Sequence, residues 1–243
     1  MIEEECGGNG MRAVLAAGYG ADETLIGEPF WPHIGNGGVG VIWARLDARG
    51  SGRHAAHADE VTAPIEALID AVGALRELET ELNASGGDPA FSDAFAHPYN
   101  LNLGEIAGGA WPSSVPTDAW LRIRLGFGRN LEPTAVQELV AERVAAVAPT
   151  VTVTFDGFRA HAYVHDPATP LAAALTTAHA ELHGTAPATG LFTGTTDARY
   201  VPGPCYCYGP LAGNLHGIDE WVDLESCRHV AQTVALLLAR RLA

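Results

Sequence analysis

The sequence has no uninterrupted apolar run approaching the ~20 residues that a membrane-spanning helix requires. Its richest stretch, Val230 to Leu242, is broken by Gln232, Arg240 and Arg241, which excludes a membrane span. Positive charge is also scarce: Lys+Arg number 14 against 29 Asp+Glu, for a net charge of -15. A field of that sign repels phosphate backbones and anionic lipid surfaces over about a Debye length, so nucleic acid is not an expected partner. Cys6, Cys205, Cys207 and Cys227 contain no C-x-x-C pair and are too few for a disulfide framework. They are expected to be reduced and mostly buried. Glu3, Glu4 and Glu5 stand where a signal peptide would carry basic and then apolar residues, which makes a cytoplasmic location the default expectation. The chain also lacks internal repeats and low-complexity segments.

What is present suffices for a globular protein. At 47% hydrophobic and 18% charged, 243 residues make one large domain or two small ones. Met11 to Ala17 has helix-forming composition and stops at Gly18. Val39 to Leu46 alternates β-branched and aromatic residues as a strand does. From Thr62 to Leu82, Ile65, Leu68, Ile69, Val72, Leu75, Leu78 and Leu82 recur at spacings of three and four, predicting an amphipathic helix with Pro64 in its first turn. Two strand-like runs, Tyr99 to Ile106 and Ala119 to Phe127, should pair as neighbours. Pro133 to Val147 returns to helical spacing, after which Val151, Val153 and Phe155 alternate with Thr152, Thr154 and Asp156. The order from Val39 to Phe158 is thus β-α-β-β-α-β, a compact α+β module with both helices on one sheet face.

Residues 1–30 and 160–243 flank that module and are expected to form one discontinuous α/β domain, with 31–159 inserted into it. Pro170 to His183 and Glu225 to Leu242 read as its helices, the second with Val230, Val234, Leu237, Leu238 and Leu242 turned inward. Pro204 to Tyr208 reads as a short buried strand, giving the helix and strand alternation of an α/β fold. These flanks alone leave a thin core, and a chain that opens directly on an acidic, glycine-rich stretch is expected to lack its upstream part.

Adjacent carboxylates on a glycine-rich turn repel one another unless a cation compensates. One of such a pair can ligate a metal while its neighbour takes a proton from water whose pKa the metal has lowered to about 7. Glu4 and Glu5 suit those two roles, although three consecutive glutamates also read as a solvated acidic run. Taken singly, Asp22 reads as a cap or turn residue and His216 as a loop histidine.

Several stretches together carry a family likeness. They are Glu3-Glu4-Glu5-Cys6-Gly7-Gly8-Asn9-Gly10, Gly18-Tyr19-Gly20-Ala21-Asp22, Gly27-Glu28-Pro29, Tyr208-Gly209-Pro210 and Leu215-His216-Gly217-Ile218-Asp219-Glu220. Trp111-Pro112-Ser113-Ser114-Val115-Pro116 and Thr195-Thr196-Asp197-Ala198-Arg199 extend the match. The sequence resembles the M20 metallopeptidase and deacylase family, in the branch of acetylornithine deacetylase and succinyl-diaminopimelate desuccinylase, and is most similar to acetylornithine deacetylase-like deacylases. The resemblance implies a two-metal catalytic α/β domain interrupted by an α+β, ferredoxin-like lid that forms a homodimer. It makes Glu4 the general base, Glu5 and His216 ligands of one metal, and Asp22 a ligand of the other. The metal it implies is zinc, with cobalt or manganese as alternatives. His54 matches the lid histidine that reaches across the dimer to polarise the scissile carbonyl, with His57 as its rival. Asn102 and Arg199 resemble positions lining the substrate cleft, where turn stabilisation and a structural ion pair are equally good readings.

The resemblance also implies what is missing. An upstream segment supplies the family with an H-x-D histidine and a bridging aspartate, and this chain begins after both. His57-Ala58-Asp59 spells the same pattern but falls between the lid's first strand and first helix, and is read as coincidence. The expectation is therefore a metal-dependent hydrolase of N-acyl amino acids or small peptides, inactive or impaired as this chain alone. A non-catalytic, dimerising binding protein derived from such an enzyme is the alternative.

Overall fold

The computed structural model describes residues 3–84 and 87–242. The chain divides into two compact units, Met1–Gly38 with Tyr163–Ala243, and Val39–Ala162. The first unit opens with α1 (Asn9–Ala16), β1 (Thr24–Pro29) and β2 (Ile34–Gly38). The second holds β3 (Gly40–Arg49), β4 (Arg53–His54), α2 (Pro64–Ala84), α3 (Pro89–Ser92), β5 (Leu101–Gly108) and β6 (Ser114–Val115). It continues with β7 (Asp118–Phe127), α4 (Pro133–Val147), β8 (Val151–Thr154) and β9 (Arg159–Ala160). The chain then returns to the first unit through β10 (Tyr163–Val164), α5 (Pro170–His183), β11 (Thr189–Phe192) and β12 (Cys205–Gly209). The β13 (Ala212–Gly213) and β14 (Trp221–Val222) hairpin and α6 (Leu224–Arg241) close it. Among the described residues no helix is long and apolar enough to cross a membrane.

A mixed sheet organises the first unit. β1 runs parallel to β12, β12 antiparallel to β2, and β2 pairs with β11 in parallel and β10 in antiparallel fashion. β12 is buried along its whole length because both sheet faces are covered. Tyr206 and Tyr208 join Ile34, Leu171, Leu175 and Leu237 beneath α5 and α6. Cys205 and Cys207, one step out of phase, join Met11, Ala198 and Val201 beneath α1 and a 3-10 turn at Asp197–Tyr200. All four cysteines are free, and Cys6 alone among them is exposed. In β2 a Cβ at Gly37 would stand 2.7 Å from the Tyr163 carbonyl and from the Leu191 side chain, so glycine is what lets β10 and β11 close in. The helices begin on side-chain caps: Thr169 accepts from the Ala172 N–H, and Asp223 from the Ser226 N–H. On α6, Leu237 is buried and Val230 and Val234 pack against the core, but Leu238 and Leu242 are exposed. They lie off the buried stripe, because each step along a helix turns the side chain by about 100° and only one face of α6 meets the sheet.

The second unit runs β-α-β-β-α-β through β3, α2, β5, β7, α4 and β8, with its strands ordered β5-β7-β3-β8. Each neighbouring pair is antiparallel. Ile42, Ala44 and Leu46 of β3 and Leu121, Ile123 and Leu125 of β7 point toward α2 and α4, meeting Leu68, Leu75, Leu78, Val136, Val140 and Val144. Each leucine or valine buried there contributes about 1.5–3 kcal/mol. The alternate residues face the other way: Trp43, Arg45 and Asp47 lie opposite Arg124, Arg122 and Trp120 in register. That face is polar. The Arg45 guanidinium rests 4.4 Å over the Trp120 ring while pairing with Asp47, and Arg122 pairs with Asp156.

Candidate metal centre

Glu4 and Glu5 sit on a turn that leads into α1 and closes with a 2.8 Å bond from the Gly8 N–H to the Glu3 carbonyl. The Tyr200 hydroxyl donates to the Gly7 carbonyl at 2.7 Å, fastening this turn to the 3-10 turn 193 positions later. Gly8 lies at φ 68, and a Cβ there would stand 2.4 Å from Asp197 Oδ1 and from the Tyr200 ring. Only glycine lets the two turns touch.

The contact gathers like charge. Glu4 faces Glu28, near the end of β1, closely enough for each carboxyl to act on the other's pKa. Burial, then the charges of Glu4, Glu5 and Asp197, push the Glu28 carboxyl up to about 7. Burial raises Glu4 as well, with Glu5 and Asp197 adding to it and Arg199 opposing. Asp197 is 2% exposed and raised by burial, with Arg199 offsetting part of the effect. Glu4 Oε1 and Asp197 Oδ1 are buried without a hydrogen-bond partner among the described residues. Beside this group, His216 Nε2 stands 3.5 Å from Glu5 Oε2, and both side chains are exposed. His216 holds φ 63 in a turn closed by the Gly217 N–H on the Asn214 carbonyl and by the Asn214 side chain on Asp219.

Orphaned and mutually repelling carboxylates beside an imidazole are the chemistry a divalent cation relieves, and oxygen with nitrogen donors suits zinc. The donor set fits, although among the described residues no three such side chains already stand in enclosing positions. Glu5 and His216, expected to share an ion, are adjacent. Asp22 is not part of the group. It is exposed and precedes β1, while Glu28 lies at the strand's other end. The four steps from Thr24 to Glu28 at ~3.3 Å each put those ends about 13 Å apart along the strand. Sequence reading missed Glu28 and Asp197. The Gly27-Glu28-Pro29 stretch was the available signal for the first, and the Thr196-Asp197 pair for the second.

Arg199 belongs to the same site. Its Nε donates to the Thr196 carbonyl at 2.5 Å, and its charge acts on both Glu4 and Asp197. His54 and Asn102 belong to the second unit. His54 lies on β4, paired with Ser114 of β6, and its Nδ1 accepts the Ala56 N–H at 3.1 Å. A neutral imidazole that accepts at Nδ1 carries its hydrogen on Nε2, so His54 presents a donor. The rival His57 is engaged through Nδ1 with Glu60 at 2.8 Å. Asn102 is exposed on β5, directly across from Arg124 on the polar sheet face. Burial lowers the Arg124 pKa, a residue that sequence reading passed over.

Solved structures share this architecture. The di-peptidase Dug1p from Saccharomyces cerevisiae superposes with a TM-score of 0.74 at 12% identity, over 94% of this chain and 61% of that one. An M20 family metallo-carboxypeptidase from Sulfolobus solfataricus gives 0.70 at 15% identity, over 94% of this chain and 66% of its own. The fold is thus that of the M20 peptidase structures, an α/β architecture with mixed sheets. Residues 1–240 match the pattern of peptidase family M20/M25/M40, and the chain belongs to that family of metal-dependent amide-bond hydrolases. Among curated relatives, the succinyl-diaminopimelate desuccinylase of Maricaulis maris is 28% identical over 89% of this chain, and that of Acidiphilium cryptum 26% over 96%. The chain spans 57% and 63% of their respective lengths.

Proposed function

We propose that this chain carries part of the catalytic centre of a metal-dependent deacylase of N-acyl amino acids or small peptides, with Glu28 rather than Asp22 joining Glu5 and His216 as a metal ligand. The convergence of Glu4, Glu28 and Asp197, two of them with an orphaned oxygen, beside the Glu5 and His216 pair carries the reading. Glu5, His216 and Glu28 would hold the cation: zinc, cobalt or manganese. When bound, the metal polarises the scissile carbonyl and lowers the pKa of water. Glu4 takes the proton from the attacking water and passes it to the departing amine, a role helped by burial that already raises its pKa. His54 donates from Nε2 to the developing oxyanion, in the family manner from the partner of a homodimer. Arg199 contacts the substrate, where a guanidinium suits its carboxylate, and Asn102 keeps the substrate-lining role that the family resemblance gives it. The relatives' names favour a succinyl over an acetyl group on the scissile amide.

Calorimetric titration of the purified chain with zinc, together with assays on N-succinyl and N-acetyl amino acids, tests this. Zinc binding that is lost in Glu28→Gln and kept in Asp22→Asn is the expected result; the reverse pattern would overturn the assignment. A second reading, a non-catalytic dimerising protein, draws on the open edge of β5, where every residue from Asn102 to Gly108 is exposed. It would gain if the chain formed a stable dimer and neither variant affected metal binding.

A further inference from the structure

Away from the acidic site, three of the chain's histidines gather around one tryptophan in the first unit. Trp31, just before β2, has the ring of His179 at 4.9 Å between centroids, that of His183 at 4.9 Å and that of His229 at 5.3 Å. His179 and His183 are one turn apart on α5, and His229 comes from α6. His183 lies 4.8 Å from His179 and 4.7 Å from His229, again between centroids. His33, on the segment that also carries Trp31, adds a further positive charge when protonated.

Two of the rings hydrogen-bond to hydroxyls and not to carboxylates. The Thr233 hydroxyl donates to the His229 carbonyl, so it accepts from His183 Nε2 at 2.9 Å. His179, 1% exposed, meets the Tyr208 hydroxyl through Nδ1 at 2.7 Å. Burial, then the neighbouring histidines, push His179 down to about 4, and burial with His229 and Arg228 lowers His183. Compensating charge is thin. From α6, Glu225 stands 3.3 Å from His229 but is already paired with Arg228. From α5, Glu181 pairs with Arg240 instead, and β12 offers only the Tyr208 phenol.

We propose that this cluster is an acid-sensitive joint, in which neutral imidazoles stacked on Trp31 hold α5 and α6 to the sheet and to each other, and protonation drives the two helices apart. Glu225 can offset one imidazolium, at His229, but a second within 5 Å of it meets no carboxylate, and Trp31 alone cannot offset it. The helices therefore loosen while the second unit, whose core contains no histidine, keeps its packing.

Amide hydrogen exchange on the full chain between pH 7.5 and 5, corrected for the intrinsic pH dependence, reads this directly. Protection in α5 and α6 is expected to fall about tenfold or more over that range while protection in α2 and α4 holds. Trp31 emission, isolated by comparison with Trp31→Phe, should change over the same interval. In His179→Gln/His183→Gln, which removes the two imidazoles whose pKa values are lowered, the loss of α5 and α6 protection should shift about one pH unit lower or vanish. Equal loss of protection in both units would overturn the proposal. So would a double variant that folds and follows the native curve, and the wild-type exchange data decide alone if that variant does not fold.

Discussion

Glu28 shows how a single carboxyl can be strained by its neighbours before any ligand is present. Its pKa in the folded, metal-free chain is raised from 4.5 to about 7, so the folded state binds more protons than the unfolded chain between those values. The favourable contribution is complete below pH 4.5 and is lost as the pH rises through 7. Glu28→Gln removes the like charge permanently. The variant is expected to be more stable than the native metal-free chain by about 2 kcal/mol at pH 8 and nearly equal to it at pH 4.5, as urea unfolding at the two pH values will show. The same position marks what the sequence could disclose about the site. Singly, Glu4 and Glu5 read as a solvated acidic run and His216 as a loop histidine; only the family resemblance singled them out, and the fold sets Glu5 beside His216. Asp22 and Glu28 lie six positions apart in equivalent-looking acidic stretches, and only the rise of β1 separates the one that reaches the turn from the one that does not.

At the scale of the element, legibility followed side-chain periodicity. The helix expected from Thr62 to Leu82 forms at Pro64–Ala84, and that expected from Pro133 to Val147 forms with those bounds. β2 went unseen because Ile34-Gly35-Asn36-Gly37-Gly38 has too few side chains to alternate; its glycines are dictated by neighbouring strands instead. On α6 the apolar residues are so dense that periodicity cannot choose a face, and packing does. Leu237 is 3% exposed and Leu238 50%. Leu237→Ala should therefore cost about 2–4 kcal/mol, and Leu238→Gln less than about 0.5 kcal/mol, in thermal or denaturant unfolding. Similar costs would place both leucines in the core, as the sequence alone suggested. The turn contact at Gly8 is equally specific: Gly8→Ala combines a positive φ with a Cβ against Asp197 and Tyr200, and should lose roughly 2–4 kcal/mol. Calorimetric melting checks it, and an unchanged melting temperature would mean the two turns do not touch.

For the molecule as a whole, the consequential feature is the unfinished edge of the second unit. The first residue of β5 is tightly held: Glu79 accepts from the Leu101 N–H at 2.7 Å, and Arg76 donates to the Leu101 carbonyl at 2.8 Å. From there the strand runs out exposed, with β7 on one side and no strand on the other among the described residues. Such edges invite pairing unless charge or a bulge blunts them; Glu105 is the strand's single charged residue, and the register slips once, at Gly104, leaving Glu105 to Gly108 regular. The flanking apolar surface is uncovered too, with Ile106 at 69% exposure and Ile69 of α2 at 63%. Two copies related by a twofold axis can satisfy this edge by pairing β5 with β5, which continues the sheet and buries Ile106 and Ile69 together. Ile106→Asp places a charge in the middle of that seam while leaving the monomer core, to which Ile106 does not belong, intact. The native chain is therefore expected to sediment as a dimer at micromolar concentration, and Ile106→Asp as a monomer with an unchanged melting temperature at high dilution. A native chain that stays monomeric at the highest soluble concentration would remove both the proposed dimer and the route proposed for His54 to act on a partner's substrate.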